Sequence, residues 1–224
     1  MKKLLLLLTI SSLSLGAFAQ KQSEGAQTIE TEFSPLGANP IKISSLRYRY
    51  FINDNTALRS SIFIGGSRST TTSDDEPGVP QTKGKNGKLD FSFRPGIEKH
   101  FEGTDKLSPY FGGELFLGLN KTRNSQESIW SANNNIQTSI TKTSQFSFGL
   151  NAILGTDYYF TDNFYLGVEL GFGFLRESPE KTKITVDNPE TPTPEIETVG
   201  NTTEFTWGPN YQGTIRLGWI IRSN

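Results

Sequence analysis

The feature that most constrains the fold is a strict alternation of residue types between positions 163 and 175. Bulky apolar side chains occupy every second position, namely Phe164, Leu166, Val168, Leu170, Phe172 and Phe174. The positions between them carry mostly glycine around one carboxylate, Glu169. Successive side chains of a β-strand point to opposite faces, so a period of two predicts a strand with one apolar face.

The same alternation recurs along the chain and predicts eight strands. They span residues 28–36, 41–52, 56–65, 88–101, 107–120, 144–160, 163–175 and 201–221. A tilted strand needs about 9–11 residues to cross a bilayer, and these segments supply that length. Pro95 lies on the apolar row of the fourth segment, where it predicts an edge or a bulge.

The connections between these segments alternate in length. Short turns at 53–55, 102–106 and 161–163 interleave with long polar segments at 66–87, 121–143 and 177–200, and with one short connection at 37–40. This layout is typical of an all-β, eight-stranded antiparallel up-and-down transmembrane β-barrel. The long segments are either mobile coil or hairpins that project past the membrane, as the strand-like residues 183–186 and 196–199 suggest.

The first nineteen residues predict a secretory signal peptide. A positive start at Lys2 and Lys3 precedes an apolar run that is too short to span a bilayer, and Ala17-Phe18-Ala19 provides an A-x-A cleavage site. Residues 20–224 then form one domain, the predicted barrel. Without Lys2 and Lys3 the charges are 20 basic against 23 acidic, which leaves no basic footprint for nucleic acid.

The polar face of the strands carries charges of both signs. The twelve predicted to line the lumen are Glu30, Glu32, Arg47, Arg49, Arg59, Asp90, Arg94, Glu98, Glu114, Asp157, Glu169 and Arg216. The basic residues are all arginine, which suits paired and partly dry sites. Aromatic residues cluster near both strand ends, as in the girdles of outer-membrane barrels. A soluble lipocalin-like barrel with the apolar face inside and an apolar ligand is the alternative.

With its signal peptide, eight amphipathic strands, short turns and long polar segments, the chain resembles the small eight-stranded outer-membrane barrels of Gram-negative bacteria, the OmpX/OmpA-barrel type. That resemblance implies a location in the outer membrane, contact with its lipid and with the barrel-insertion machinery, and a structural, adhesive or loop-mediated binding role. The chain departs from the family in ending on Arg222-Ser223-Asn224 instead of an aromatic residue.

Eight strands enclose a space that side chains can fill, so the charged residues predict an ion-pair network that plugs the lumen. A narrow polar channel is the functional alternative. We expect any partner to bind the long segments, with Trp130 as the candidate contact residue.

The residues give no strong indication of catalysis, of a cofactor or of a metal site. A Ser–His hydrolase needs a base, and the single histidine, His100, is expected at the periplasmic end, where it packs in the wall. The chain contains no cysteine. Asp74, Asp75 and Glu76 are the only acidic cluster that resembles a weak Ca²⁺ site, and an acidic tip of this kind is usually solvated.

Overall fold

The computed structural model describes residues 22–33, 45–73, 81–130, 135–180, 182–187, 195–200 and 202–222. Within these ranges the regular structure is all β-strand, and no helix is long and apolar enough to cross a membrane. The predicted signal peptide, the connection at 37–40 and the acidic cluster at 74–76 lie outside the described residues.

The described residues form ten strands, and five of them extend several residues beyond the bounds that the alternation predicts. They are β1 (Gln27–Phe33), β2 (Leu46–Asn53), β3 (Thr56–Thr72), β4 (Gln81–His100), β5 (Leu107–Trp130), β6 (Asn135–Tyr159), β7 (Phe164–Pro179), β8 (Thr182–Asp187), β9 (Glu195–Val199) and β10 (Glu204–Arg222).

Eight of these strands close into a ring, which confirms the predicted fold class. Strands β1 to β7 pair in chain order and β10 pairs with both β7 and β1, with antiparallel neighbours throughout. Closure removes the edges that an open sheet would present to lipid. Pro95 interrupts the ladder on the β5 side only, between the pairs Phe93–Leu117 and Gly96–Glu114, and the register continues without a bulge.

Local side-chain hydrogen bonds support two of the predicted short turns. The side chain of Asn53 accepts a hydrogen bond of 3.0 Å from the backbone N–H of Asn55. The hydroxyl of Thr161 accepts one of 3.0 Å from the N–H of Phe164. Such contacts are the reason that Asn and Thr favour tight turns over a continued strand.

Of the two alternatives for the long segments 66–87 and 121–143, projecting hairpins describe most of the described residues and coil does not. Strands β3 to β6 continue past the membrane as a protruding wall, paired without interruption up to Thr72–Lys83 and Trp130–Asn135. The hairpin β8–β9 extends this wall along β6, as the strand-like pattern of 183–186 and 196–199 had indicated. Above the bilayer neither face of a strand needs to be apolar, so the sequence alternation that predicts a strand disappears. The β-branched threonines in these segments still favour strand conformation.

The apolar row of every strand faces outward, which excludes the lipocalin-like alternative. Ile64, Leu170 and Trp207 are 71%, 63% and 75% exposed, and aromatic rings at the turn end stack along the outside, as in Phe164 on Trp219 at 6.3 Å. A water-facing surface of this composition would be unstable, whereas lipid accommodates it.

Candidate functional site: the charged lumen

Glycine on the inner face provides the space that the large lumenal side chains occupy. Gly218 lies beside the ring of Tyr165 and Gly155 lies beside the ring of Tyr110, so closely that an added Cβ would overlap the ring in each case. Gly167 lies against the guanidinium of Arg216 in the same way. A barrel of eight strands has room for such side chains only when their neighbours are small.

An aromatic layer forms the floor of the lumen at the turn end. The imidazole of His100 packs between the rings of Phe51 and Tyr110, with centroids 5.2 and 5.1 Å away. The rings of Tyr159 and Tyr165 lie 5.1 Å apart on the opposite wall. All five side chains are buried, so this layer separates the charged interior from the turns.

Above this floor, two fully buried arginines from β2 bind carboxylates on other strands. Arg47 contacts Glu30 at 3.2 Å, Glu32, and Glu169 at 3.4 Å. Arg49 contacts Glu30 at 2.5 Å. It also reaches across the lumen to Glu98 at 2.9 Å and Asp157 at 2.8 Å. The guanidinium of Arg49 lies 5.1 Å from the centre of the Tyr165 ring, which adds a cation–π contact.

Two further buried arginines complete this layer. Arg59 binds Glu98 at 2.8 Å, Glu114 at 3.1 Å and Glu169 at 2.7 Å. Arg216 binds Glu30 at 2.9 Å and Asp157 at 2.7 Å. Tyrosine hydroxyls donate to the same carboxylates at 2.6 Å, Tyr110 to Glu169 and Tyr165 to Glu30.

Eleven of the twelve residues predicted to line the lumen therefore lie in one connected group, which we call the lumenal network. It contains Glu30, Glu32, Glu98, Glu114, Asp157, Glu169, Arg47, Arg49, Arg59, Arg94 and Arg216. Arg94 is at its upper margin, bound to Glu32 at 3.1 Å. Asp90 lies higher, near the bilayer surface, and its contacts are Asn120 and Lys88. The side chain of Trp130 lies outside the described residues, and its backbone ends β5.

A cavity of about 240 Å³ lies directly above the network. Its polar lining includes Glu32, Arg94 and Glu114, and its apolar lining includes Phe116 and Ile153. The guanidinium of Arg94 is 4.0 Å from the carboxylate of Glu114, which is the loosest ion pair of the lumen. No sequence pattern predicts this cavity, because it depends on how the inner side chains of five strands share the space.

A serine, a histidine and a carboxylate are linked by consecutive hydrogen bonds in the aromatic floor. Sequence reasoning did not find this arrangement. The Nδ1 of His100 is 2.8 Å from the hydroxyl of Ser108, and its Nε2 is 3.3 Å from Glu98. Ser108 is on β5, the strand that pairs with the strand of His100. All three side chains are buried, and the carboxylate of Glu98 is also bound by Arg49 and Arg59.

No group of three or more His, Asp or Glu side chains in the described ranges has the geometry of a metal site. Every carboxylate of the lumenal network already accepts a contact from arginine. The carboxylates of the lumenal network are therefore paired with guanidinium groups of the same chain.

The closed ring, the outward apolar rows and the charged interior define an eight-stranded outer-membrane β-barrel. The chain belongs to the Putative OmpA-OmpF-like porin family, whose model matches residues 35–174. Among solved structures it is similar to CarO of Acinetobacter baumannii, at 9% identity and a TM-score of 0.36 over 88% of this chain and 96% of that one. No curated protein sequence matches the chain. Its location is the outer membrane.

Proposed function

We propose that this protein is a closed, non-catalytic outer-membrane barrel whose specific activity lies in its protruding wall. The observation that supports the proposal is the lumenal network, in which six carboxylates and five guanidinium groups link strands across the lumen above the aromatic floor. A solute on the barrel axis would have to displace Arg49 and Arg216, which are fully buried. Separating buried ion pairs leaves uncompensated charge and is strongly unfavourable.

Because the chain belongs to a porin-like family, solute passage is the activity to test first. Liposomes that contain the purified protein should show no swelling in isosmotic solutions of small sugars or amino acids, and a general porin serves as the positive control. Swelling at a porin-like rate would contradict a closed lumen.

Surface binding is the positive part of the proposal. The segments 66–87, 121–143 and 177–200 emerge at one end of the barrel, and most of their described residues build paired strands that the barrel itself does not need. Ordering this much extra chain costs conformational entropy without burying a core. A role in contacting extracellular molecules or neighbouring cells explains why the wall exists, with Trp130 as an anchor residue.

The strand register supplies the design of a trimmed barrel that tests this role. Two-residue Asn-Gly turns would join the cross-strand partners Gly66 and Leu89, Lys121 and Ser144, and Glu177 and Glu204. The trimmed protein should still fold and shift on heating in a denaturing gel, while cells that display it lose surface attachment. Trp130→Ala should cause part of that loss. A trimmed barrel that keeps full attachment would place the function in the barrel wall.

The cavity above the network favours a second candidate, a narrow polar channel that is blocked only at Arg94. In that case Arg94→Ser should give ion currents in planar bilayers that the wild-type protein lacks. The closed-barrel proposal expects no current from this variant, because Arg47, Arg49, Arg59 and Arg216 remain in place below it.

A further inference from the structure

The outer face of the protruding wall carries a row of cations that are in register on four strands. The register aligns Arg68 on β3 with Gly87 on β4, Arg123 on β5, Lys142 on β6 and Lys183 on β8. Directly paired residues of neighbouring strands share a face, so the four cationic side chains point the same way. We call these four residues the basic row.

This face is the continuation of the lipid-facing surface. Two residues below Gly87 on the same strand is Leu89, which is 53% exposed, and below it Phe91 pairs with Leu119 in an exposed apolar row. Two residues span about 7 Å along a strand. On β4 and β5 the basic row therefore directly follows the exposed apolar residues, on the wall side of the membrane band.

The cations of the basic row lack carboxylate partners in the parts of the chain that the structure describes. The ion pairs of the wall there are Lys85 with Glu127 at 2.7 Å and Lys88 with Asp90 at 3.3 Å. The hydrogen bond from Lys85 lowers the pKa of Glu127, so this carboxylate is already engaged by its own lysine.

Arg123 and Lys142 are direct cross-strand neighbours, and like charges in that position repel each other. An anion between them would relieve the repulsion.

The shape of this face offers room for such an anion. Gly87 has no side chain, so it leaves a gap in the row between Arg68 and Arg123. Shallow depressions of about 510 and 550 Å³ lie on either side of the row, and both are lined by these two arginines. Guanidinium groups in this arrangement suit bidentate binding of phosphate.

The opposite end of the barrel carries more carboxylates than cations in the described residues. The exposed carboxylates at its turns include Asp54, Glu102, Asp105 and Asp162, and the cations there are Lys99 and Lys106. The row of cations in register lies instead at the end where the wall protrudes, which is the side of the outer leaflet. The outer leaflet of a Gram-negative outer membrane consists largely of phosphorylated glycolipid, a ligand whose phosphates border the apolar part of the membrane.

We propose that the basic row binds the phosphate groups of an outer-leaflet glycolipid and holds one such lipid against strands β3 to β6. This proposal is independent of whether the lumen is closed. It predicts a lipid that remains with the protein when the bulk lipid is replaced.

The test measures how much lipid A stays bound. The full-length protein is reconstituted into phosphatidylcholine vesicles containing either diphosphoryl or dephosphorylated lipid A. It is then extracted in mild detergent and purified, and the bound lipid A is quantified by mass spectrometry. Wild-type protein should retain the diphosphoryl form and lose the dephosphorylated one. Each cation near a charged surface contributes about a fivefold change in affinity, so the variant with Arg68→Gln, Arg123→Gln and Lys142→Gln should retain at least tenfold less.

Lys99→Gln is the control, since it removes an exposed cation from the outer face of β4 at the turn end, away from both depressions, where its amine donates to the hydroxyl of Thr56 at 3.2 Å. This variant should retain diphosphoryl lipid A like the wild type, and a heat-modifiable gel band shows that each variant is folded. Equal retention by the triple variant, equal retention of the dephosphorylated lipid, or displacement by an equal concentration of inorganic pyrophosphate would overturn the proposal.

Discussion

The lumenal network and the basic row place the same side chain in two opposite environments. In the lumen Arg216 is fully buried and held by Glu30 and Asp157. On the wall Arg123 is exposed and its cross-strand partner is another cation, Lys142. The comparison teaches that the strands fix where each charge points, and that the surroundings decide whether it stabilises the fold or remains available for a ligand.

The largest difference between the two regions should appear when one arginine is removed from each. Arg216→Met leaves Glu30 and Asp157 with one buried cation fewer, and breaking a buried pair costs about 3–5 kcal/mol. Arg123→Met on the wall should change stability by less than about 0.5 kcal/mol. Urea unfolding in lipid vesicles, followed by tryptophan fluorescence, measures both. Equal effects would contradict the contrast between the regions.

A cation introduced on the outer face should destabilise the barrel more in the membrane band than on the wall. Val168 faces outward at mid-strand and is 53% exposed, so Val168→Arg places a cation in lipid at a cost of about 2–4 kcal/mol. Ile140→Arg is the matched change on the outer face of the wall, where water can solvate the new charge. The same unfolding assay should show less than half the loss for this variant. Comparable losses would mean that the bilayer reaches higher than the basic row.

The smallest expected effect concerns glycine. An added methyl group at Gly218 would overlap the buried ring of Tyr165, and overpacking of this kind costs about 1–3 kcal/mol. At Gly84 on the wall the nearest atom to a new Cβ is the backbone oxygen of Thr71 at 3.9 Å, an ordinary contact. Gly84→Ala should therefore be neutral or slightly stabilising in the unfolding assay. A neutral Gly218→Ala would show that the lumen has spare room.

The fold could be predicted from the sequence to different extents in the membrane-spanning part and in the wall. Within the membrane, lipid on one side and side chains on the other impose a strict alternation, so the strands, the outward face and the charged inner row were predictable from residues such as those around Val168 and Glu169. Pairing partners were not. Arg49 meets Glu98 and Asp157 across the lumen, and such contacts depend on closure of the ring and on the register of eight strands.

Above the membrane the sequence signal weakens because water surrounds both faces. For residues 121–143 the sequence left coil and a projecting hairpin open, and most of their described residues are paired strand. The alignment of Arg68, Arg123 and Lys142 in one row is invisible in a linear sequence, since the positions become neighbours only through the register. In the same way, no sequence pattern links Ser108 to His100, and the two residues become neighbours only because their strands pair.

Single-channel recording in planar bilayers tests the central claim most directly. The claim is that the lumenal network seals the barrel, so the purified wild-type protein should insert without producing any steady conductance, beside a general porin as the positive control. Insertion is verified independently by protease protection of the reconstituted barrel. Large, stable, ion-selective currents from the intact protein would contradict the claim and show that ions pass the layer formed by Arg47, Arg49, Arg59 and Arg216.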